Sequence, residues 1–183
     1  GHLNGFVADE PWQYSEVESP GVVPSKTWSH VAFTSDGANL RLYLDGELVD
    51  TSPAREPMES EEPLEIGCGY VGEQFEGRID EVRIYNRALD AGEIGADLGD
   101  PLQTPRSAPV AAYAFDEAEG TVAHDFAGSH DGTIEGAERT KGRFGAALKF
   151  DSSQEDVVTI PASPDLNLED FTLEAWVKPS EIH

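Results

Sequence analysis

The segment that most constrains the fold is an alternating run over residues 27–51 that contains two Asp-Gly pairs. Leu40, Leu42 and Leu44 alternate with polar or aromatic residues, and the preceding run 28–35 alternates in the same way. An Asp-Gly pair between two alternating runs is a strong signal of a tight hairpin turn. The segment therefore predicts three antiparallel strands joined by two short turns.

The composition extends this prediction to the rest of the chain. Eighteen glycines and twelve prolines punctuate the 183 residues, and no long segment has helical periodicity. Such a pattern indicates an all-β sandwich or barrel with one good core. No apolar run approaches the roughly 18 residues that a membrane-spanning helix needs, so we expect no membrane insertion.

The charge excludes some classes of partner. The chain carries 36 acidic and 12 basic residues, for a net charge of −24. Contacts with phosphates need Lys or Arg, so we expect no nucleic acid partner and no attraction to anionic membranes. The simplest interpretation of this acidity is a solvated, soluble surface. Alternatively, some carboxylates bind divalent cations, or the protein works at high salt, where the repulsion between its own charges is screened.

A second informative stretch lies in the middle of the chain, over residues 76–89. Its apolar residues recur with a period near two among charged residues, which predicts a strand with one face buried. Asp90 and Glu93 then form a capping-box pattern, and Gly99 and Pro101 end the segment. We therefore predict one short helix near residues 90–98, in an arrangement typical of the end of a domain.

These motifs resemble the laminin-G-like jelly roll of the concanavalin A-like lectin/glucanase superfamily. Residues 28–46 and 77–89, the latter reading Gly-Arg-Ile-Asp-Glu-Val-Arg-Ile-Tyr-Asn-Arg-Ala-Leu, resemble the C-terminal half of that domain. Three further stretches resemble the N-terminal half of that domain: residues 110–116, 125–132 and 145–178, the last of which includes Phe-Thr-Leu-Glu-Ala-Trp-Val. The resemblance implies an all-β, antiparallel jelly-roll sandwich whose two halves occur in reverse order.

The reversed order leads to a specific domain prediction. Residues 1–98 form the C-terminal half, residues 99–109 form a linker, and residues 110–183 form the N-terminal half of one permuted domain. The order arises either from circular permutation or from two half-repeats of a tandem array. The alternative to closure within one chain is pairing between chains, as a domain-swapped dimer or by head-to-tail self-association.

The resemblance also implies a structural calcium ion. In laminin-G-like jelly rolls an Asp-x-x-Gly loop and the Asp of the Ile-Asp-Glu-Val strand often hold calcium, and Asp125 and Asp80 match these positions. Calcium takes several oxygen ligands, so Asp131 and the carbonyls of Ser129 or His130 are added to the predicted set. The alternative is that Asp125 only caps a turn and that Asp80 faces solvent.

Four aromatic residues are candidates for contact with a ligand. Carbohydrate sites use aromatic platforms beside a few polar groups. Trp12, Tyr14, Tyr70 and Phe75 lie in or beside irregular segments, where such platforms occur. Each of them could instead be a core or edge aromatic.

Catalysis has little support in the sequence. The glucanase branch of the superfamily places its carboxylates as Glu-x-Asp-x-x-Glu on one strand, and Asp80-Glu81 lacks that spacing. The resemblance therefore implies a non-catalytic binding or adhesion module of a secreted or cell-surface protein, with a glycan or an extracellular protein as partner. A structural spacer repeat with no ligand is the alternative, and a glucanase-like glycoside hydrolase is a remote one.

Overall fold

A computed structural model describes residues 2–10, 13–69, 74–102 and 109–180. It contains fourteen strands, one α-helix and one 3₁₀ turn within these ranges. The strands are β1 His2–Glu10, β2 Gln13–Val22, β3 Ser29–Ser35, β4 Asn39–Leu44, β5 Glu47–Pro53, β6 Leu64–Ile66, β7 Gly77–Tyr85, β8 Ala111–Tyr113, β9 Val122–Ala123, β10 Gly132–Glu135, β11 Glu138–Lys141, β12 Ala146–Phe150, β13 Val157–Ile160 and β14 Phe171–Pro179. Helix α1 spans Ala91–Asp97, and the 3₁₀ turn spans Pro164–Leu166.

The largest sheet combines strands from both ends of the chain. Its order is β11-β12-β7-β14-β3-β4-β5, and β8 pairs with β7 beside β12. Strand β14 lies between β3 and β7 and is antiparallel to both. One continuous hydrogen-bonded sheet therefore joins residues 29–85 to residues 111–179.

Strand β7 changes partner along one edge. Its first half pairs with β12, and its second half pairs with β8. A bulge separates the halves, because the register with β14 shifts beside Glu81, which has a positive φ of 55°. A bulge adds a residue to one strand and re-aims the neighbouring side chains.

The main core lies between the large sheet and a four-stranded sheet of order β6-β13-β10-β9. Tyr113, Phe115 and Phe150 are fully buried there. Burying a side chain of this kind contributes about 2 kcal/mol, so the aromatic residues stabilise the sandwich substantially. The fold is an antiparallel jelly-roll β-sandwich, as predicted.

Two smaller elements cover the rest of the large sheet. The β1–β2 hairpin packs Val7 and Val17 against Leu40 and Leu42. Helix α1 packs on the opposite face, where Ile94 joins a second small cluster. None of the helices within the described ranges is long and apolar enough to cross a membrane.

Several local predictions are confirmed. Strands β3, β4 and β5 are joined by turns at the two Asp-Gly pairs. The carboxylate of Asp90 accepts hydrogen bonds from the backbone of Gly92 and Glu93, and Glu93 accepts one from the Asp90 backbone, which forms the predicted capping box. The domain division and the circular permutation stay predictions, and much of the predicted linker lies outside the described residues.

One local prediction is wrong. Strand β7 was expected to bury one face, yet its charged residues Asp80, Glu81 and Arg83 are as buried as its apolar ones. The reason is that the sandwich core covers one face, whereas helix α1 and neighbouring loops cover the other.

Candidate functional site

The outer face of the large sheet, opposite the sandwich core, carries a layer of buried polar side chains. Strands β7, β14 and β3 contribute them side by side. We call them the buried polar layer: Asp80, Glu81, Arg83, Glu174 and His30. Because charges are costly to bury, such a layer is either a hidden functional site or a structural network.

The segment that follows helix α1 is fastened to this layer. The Arg83 guanidinium donates to Glu81 over 3.1 Å and also to the backbone carbonyl of Asp100. The Glu81 carboxylate accepts the backbone N–H of Leu102 at 2.7 Å. Burial outweighs the attraction of Arg83 and raises the pKa of Glu81 to about 7.

Two other members, His30 and Glu174, have side chains without a hydrogen-bond partner among the described residues. Both ring nitrogens of His30 and both carboxylate oxygens of Glu174 are buried and unpartnered. Burial and the neighbouring carboxylate of Asp97 raise the pKa of Glu174 to about 9, whereas burial lowers the pKa of His30 to about 4. Both side chains are therefore uncharged at neutral pH.

A loop closes the layer at the Asp80 end. The backbone N–H groups of Arg143 and Phe144 donate to Asp80 Oδ2 at 2.7 and 3.0 Å. The guanidinium of Arg143 lies 4.5 Å from the ring centre of Trp176, within the range of a cation–π contact. Burial raises the pKa of Asp80 to about 6.

Helix α1 closes the layer at its other end. Asp97 accepts the Tyr85 hydroxyl hydrogen bond at 2.9 Å, and Ile94 and Leu102 are fully buried. A substrate therefore has no path to the carboxylates while the helix and loop are in place. Chemically, the layer retains protons, because burial raises the pKa values of Glu81 and Glu174.

The predicted calcium loop is a tight hydrogen-bonded turn. Asp125 Oδ1 accepts the backbone N–H groups of Ala112 and Ala127, each at 2.9 Å, and Oδ2 accepts that of His130 at 3.0 Å. Asp131 in turn accepts the Asp125 backbone N–H at 2.8 Å. Burial acts to raise the pKa of Asp125, but the backbone hydrogen bonds outweigh it and lower that pKa.

Asp125, His130 and Asp131 are thus brought together in one loop that also contains Ser129. Asp80 is not part of this loop, because its carboxylate accepts hydrogen bonds from the backbone of Arg143 and Phe144. Asp125 contacts Ala112, which pairs with Arg83, three residues beyond Asp80 along β7.

Within the described ranges, no group of three or more His, Cys, Asp or Glu side chains is arranged to hold a metal ion. The two Asp125 oxygens point at N–H donors, so in this arrangement they do not fit a cation shell. The calcium site stays a prediction.

The four predicted ligand aromatics have different environments. Tyr14 is on β2 with 57% of its surface exposed. Phe75 is half-buried, packs against the main core and contacts Phe150 edge to face. Trp12 and Tyr70 lie outside the described residues, so their role in ligand contact stays a prediction.

Tyr14 has an aromatic neighbour that the sequence did not single out. Phe6 on β1 is 53% exposed, and its ring centre lies 6.2 Å from that of Tyr14. Asn4 and Glu16 are joined by a hydrogen bond of 3.2 Å next to the pair. We call this surface the hairpin platform: Asn4, Phe6, Tyr14 and Glu16.

A groove crosses the face of the large sheet that lies opposite the buried polar layer. Its volume is about 660 Å³. The apolar residues that line it include Met58, Leu64, Leu166, Leu168 and Leu173. Its rim carries four carboxylates, and none of the described residues that line it is basic; the acidic ones are Glu56, Glu59, Glu169 and Asp170.

Comparison with known proteins fits this geometry. Residues 4–95 match a laminin G-type family model described as the concanavalin A-like lectin/glucanases superfamily. The chain belongs to this superfamily. Neither the search of curated proteins nor the search of solved structures found a match.

Membership of the concanavalin A-like superfamily suggests a binding module. Its laminin G-like domains are generally non-catalytic and typically extracellular. In this member, the hairpin platform and the groove are open to a ligand, whereas the buried polar layer is closed.

Proposed function

We propose that this chain is a non-catalytic carbohydrate-binding module of an extracellular or cell-surface protein. The observation that carries the proposal is the exposed aromatic pair of Phe6 and Tyr14 on the β1–β2 hairpin. Inward residues such as Val7 and Val17 already anchor that hairpin to the sheet. The outward aromatics therefore contribute little to folding and remain available to a ligand.

The chemistry of the platform suits a sugar. Apolar faces of sugar rings pack on aromatic side chains, and hydroxyl groups need donors and acceptors at the edge. Asn4 supplies an amide beside the rings, and Glu16 supplies a carboxylate. A neutral or cationic sugar suits this surface, because the surrounding charge disfavours an anionic one.

The occluded carboxylates support a role without catalysis. A glycoside hydrolase needs an acid with a raised pKa that touches the scissile bond. Glu81 and Glu174 have raised pKa values, but helix α1 and the segment after it cover both. Their buried location supports a structural role instead.

The test is a glycan-array screen followed by calorimetric titration of each hit, with and without calcium. The variants are Phe6→Ala and Tyr14→Ala. The matched control is Phe126→Ala, because Phe126 is an equally exposed aromatic, at 53%, on a different loop. We expect each platform variant to weaken binding about tenfold while the control binds normally.

Two results would contradict the proposal. Wild-type affinity in both platform variants would remove the platform as the site. Absence of any glycan ligand would favour the structural spacer, in which the aromatics have no partner.

A second candidate function is recognition of a protein segment in the groove. Its apolar floor includes Leu173, which is 38% exposed although it lies in the middle of β14. The acidic rim favours a cationic partner, and the apolar floor favours an apolar side chain in the bound segment. Leu173→Glu should abolish capture of a Lys- and Leu-containing peptide without altering glycan binding, and unchanged capture would exclude the groove.

A further inference from the structure

A row of three cations crosses the large sheet at the end remote from helix α1. Arg78 on β7 lies directly opposite Lys149 on β12, and on its other side it lies directly opposite Lys178 on β14. Residues opposite each other on neighbouring strands point to the same face, with Cβ atoms roughly 5 Å apart. We call these residues the cationic row: Lys149, Arg78 and Lys178.

The row has no direct ion pair within the described ranges, although the carboxylates of Glu76 and Asp151 line the same pocket. Among the residues that the structure describes, none of the three forms an ion pair within 4.0 Å of a carboxylate. Arg78 donates to the carbonyl of Lys141 at 3.2 Å, which holds the guanidinium in place without removing its charge. Like charges directly opposite each other destabilise a sheet, so folding alone gives no reason for the row.

The row lines a pocket of about 580 Å³. Lys26 lines the same pocket, and its backbone N–H donates to the carbonyl of Pro179 at 2.7 Å. The chain has only twelve basic residues against 36 acidic ones, and four of the twelve meet here. This is a local reversal of the sign of the surface.

Hydroxyl groups and two engaged carboxylates complete the rim. Ser152 donates to Glu76 through its backbone N–H at 2.8 Å and through its hydroxyl at 3.1 Å. The Ser153 hydroxyl donates to Asp151 at 2.6 Å. The rim carboxylates thus accept hydrogen bonds from serines, and the basic residues that line the pocket outnumber the acidic ones by four to two.

The size of the anion is limited by what surrounds the pocket. An adjoining depression shares Lys149 and Asp151 with the pocket, and its other lining residues include Glu138 and Asp156. A long polyanion would extend from the row onto this acidic surface and be repelled. A small group with several charged oxygens would not.

We propose that the cationic row binds a compact oxyanion with at least two negative charges, as found in inorganic phosphate or in a phosphate monoester. The planar guanidinium of Arg78 can donate two parallel hydrogen bonds to such a group. The flanking lysines supply point charges on either side. This site is separate from the hairpin platform and does not depend on its function.

The test is a titration of the whole chain at low ionic strength with inorganic phosphate and with glucose 6-phosphate. Nuclear magnetic resonance reports the affected residues, and thermal melting reports stabilisation. We expect shifts at the cationic row, a higher melting temperature with ligand, and weaker binding as salt rises. Equal affinities would identify free phosphate as the source, and tighter binding of the sugar phosphate would identify an ester.

Two variants and a control make the result specific. Arg78→Gln and the more exposed Lys149→Gln should each weaken phosphate binding about tenfold. Lys149→Gln should also raise the melting temperature without ligand, because it relieves repulsion in the row. Arg87→Gln removes the same charge at an exposed position paired with Glu93, and should bind phosphate normally.

The proposal is overturned if phosphate causes no shift at the row. It is also overturned if the row variants bind as Arg87→Gln does, or if a polysulfated polysaccharide binds more tightly than the small anions.

Discussion

Trp176 of β14 lies directly opposite Asp80 of β7 in the large sheet, although 96 positions separate the two residues in the chain. On its other side Trp176 lies opposite His30 of β3. The buried polar layer, the cationic row and the floor of the groove all include residues of β14 and of its neighbours. Each surface therefore depends on this strand being inserted between β3 and β7.

Glu174 is expected to set the pH dependence of stability above neutral pH. Its pKa is about 9 in the folded chain and near the ordinary value when unfolded, so the folded state holds a proton that the unfolded state has lost. This stabilisation is complete at low pH and is lost as pH rises through about 9. Between pH 7.5 and 8.5 the free energy of unfolding should fall by up to about 1.4 kcal/mol per pH unit.

Urea denaturation at several pH values measures this slope. Glu174→Gln is neutral at every pH and should flatten it, whereas Glu61→Gln, at an exposed loop position, should not. The groups that face Glu174 are His30, Arg83, Asp97 and Tyr85. The chosen window lies above the pKa of His30, about 4, so that residue does not titrate in it. Identical slopes in wild type and Glu174→Gln would disprove the assignment.

The capping box should stabilise helix α1, which covers one end of the buried polar layer. Asp90→Ala removes the hydrogen bonds to the backbone of Gly92 and Glu93, which costs about 1 kcal/mol. We expect lower stability in urea and faster hydrogen exchange at the amides of Asp97 and Leu98. Glu59→Ala, in an exposed loop, is the control and should leave both unchanged, and a silent Asp90→Ala would show that the cap does not hold the cover.

Substitution of Asp125 distinguishes a loop that is only a hydrogen-bonded turn from a loop that also binds calcium. Asp125→Ala removes three backbone hydrogen bonds to a charged acceptor and should destabilise the chain by about 3 kcal/mol, even in EDTA. The calcium prediction adds that calcium raises the melting temperature of wild type and not of Asp125→Ala. Equal wild-type melting temperatures in calcium and in EDTA would leave Asp125 as a turn residue only.

Local patterns predicted the parts of the fold that depend on local chemistry. The turns at Gly37 and Gly46 need a positive φ, and both glycines have one in the structure. The Asp-Gly pairs in the sequence predicted these two turns. The cap at Asp90 follows from its spacing to Glu93. Such features involve residues close in sequence, so a single sequence contains the information.

Features that depend on long-range pairing were not predicted. The bulge at Glu81 has no glycine to mark it, and the burial of Asp80 depends on a loop more than sixty residues away. The cationic row exists because Lys149 and Lys178 pair with Arg78 in particular registers. The exposure of Phe6 beside Tyr14 likewise requires the register of the β1–β2 hairpin.

Sedimentation velocity of the purified chain across micromolar concentrations tests the insertion of β14 most directly. If β14 pairs with β3 and β7 of the same chain, the protein should sediment as one compact species of 19.8 kDa at every concentration. A dimer, or a series of larger species that grows with concentration, would mean that the strand comes from another copy, and would contradict the account.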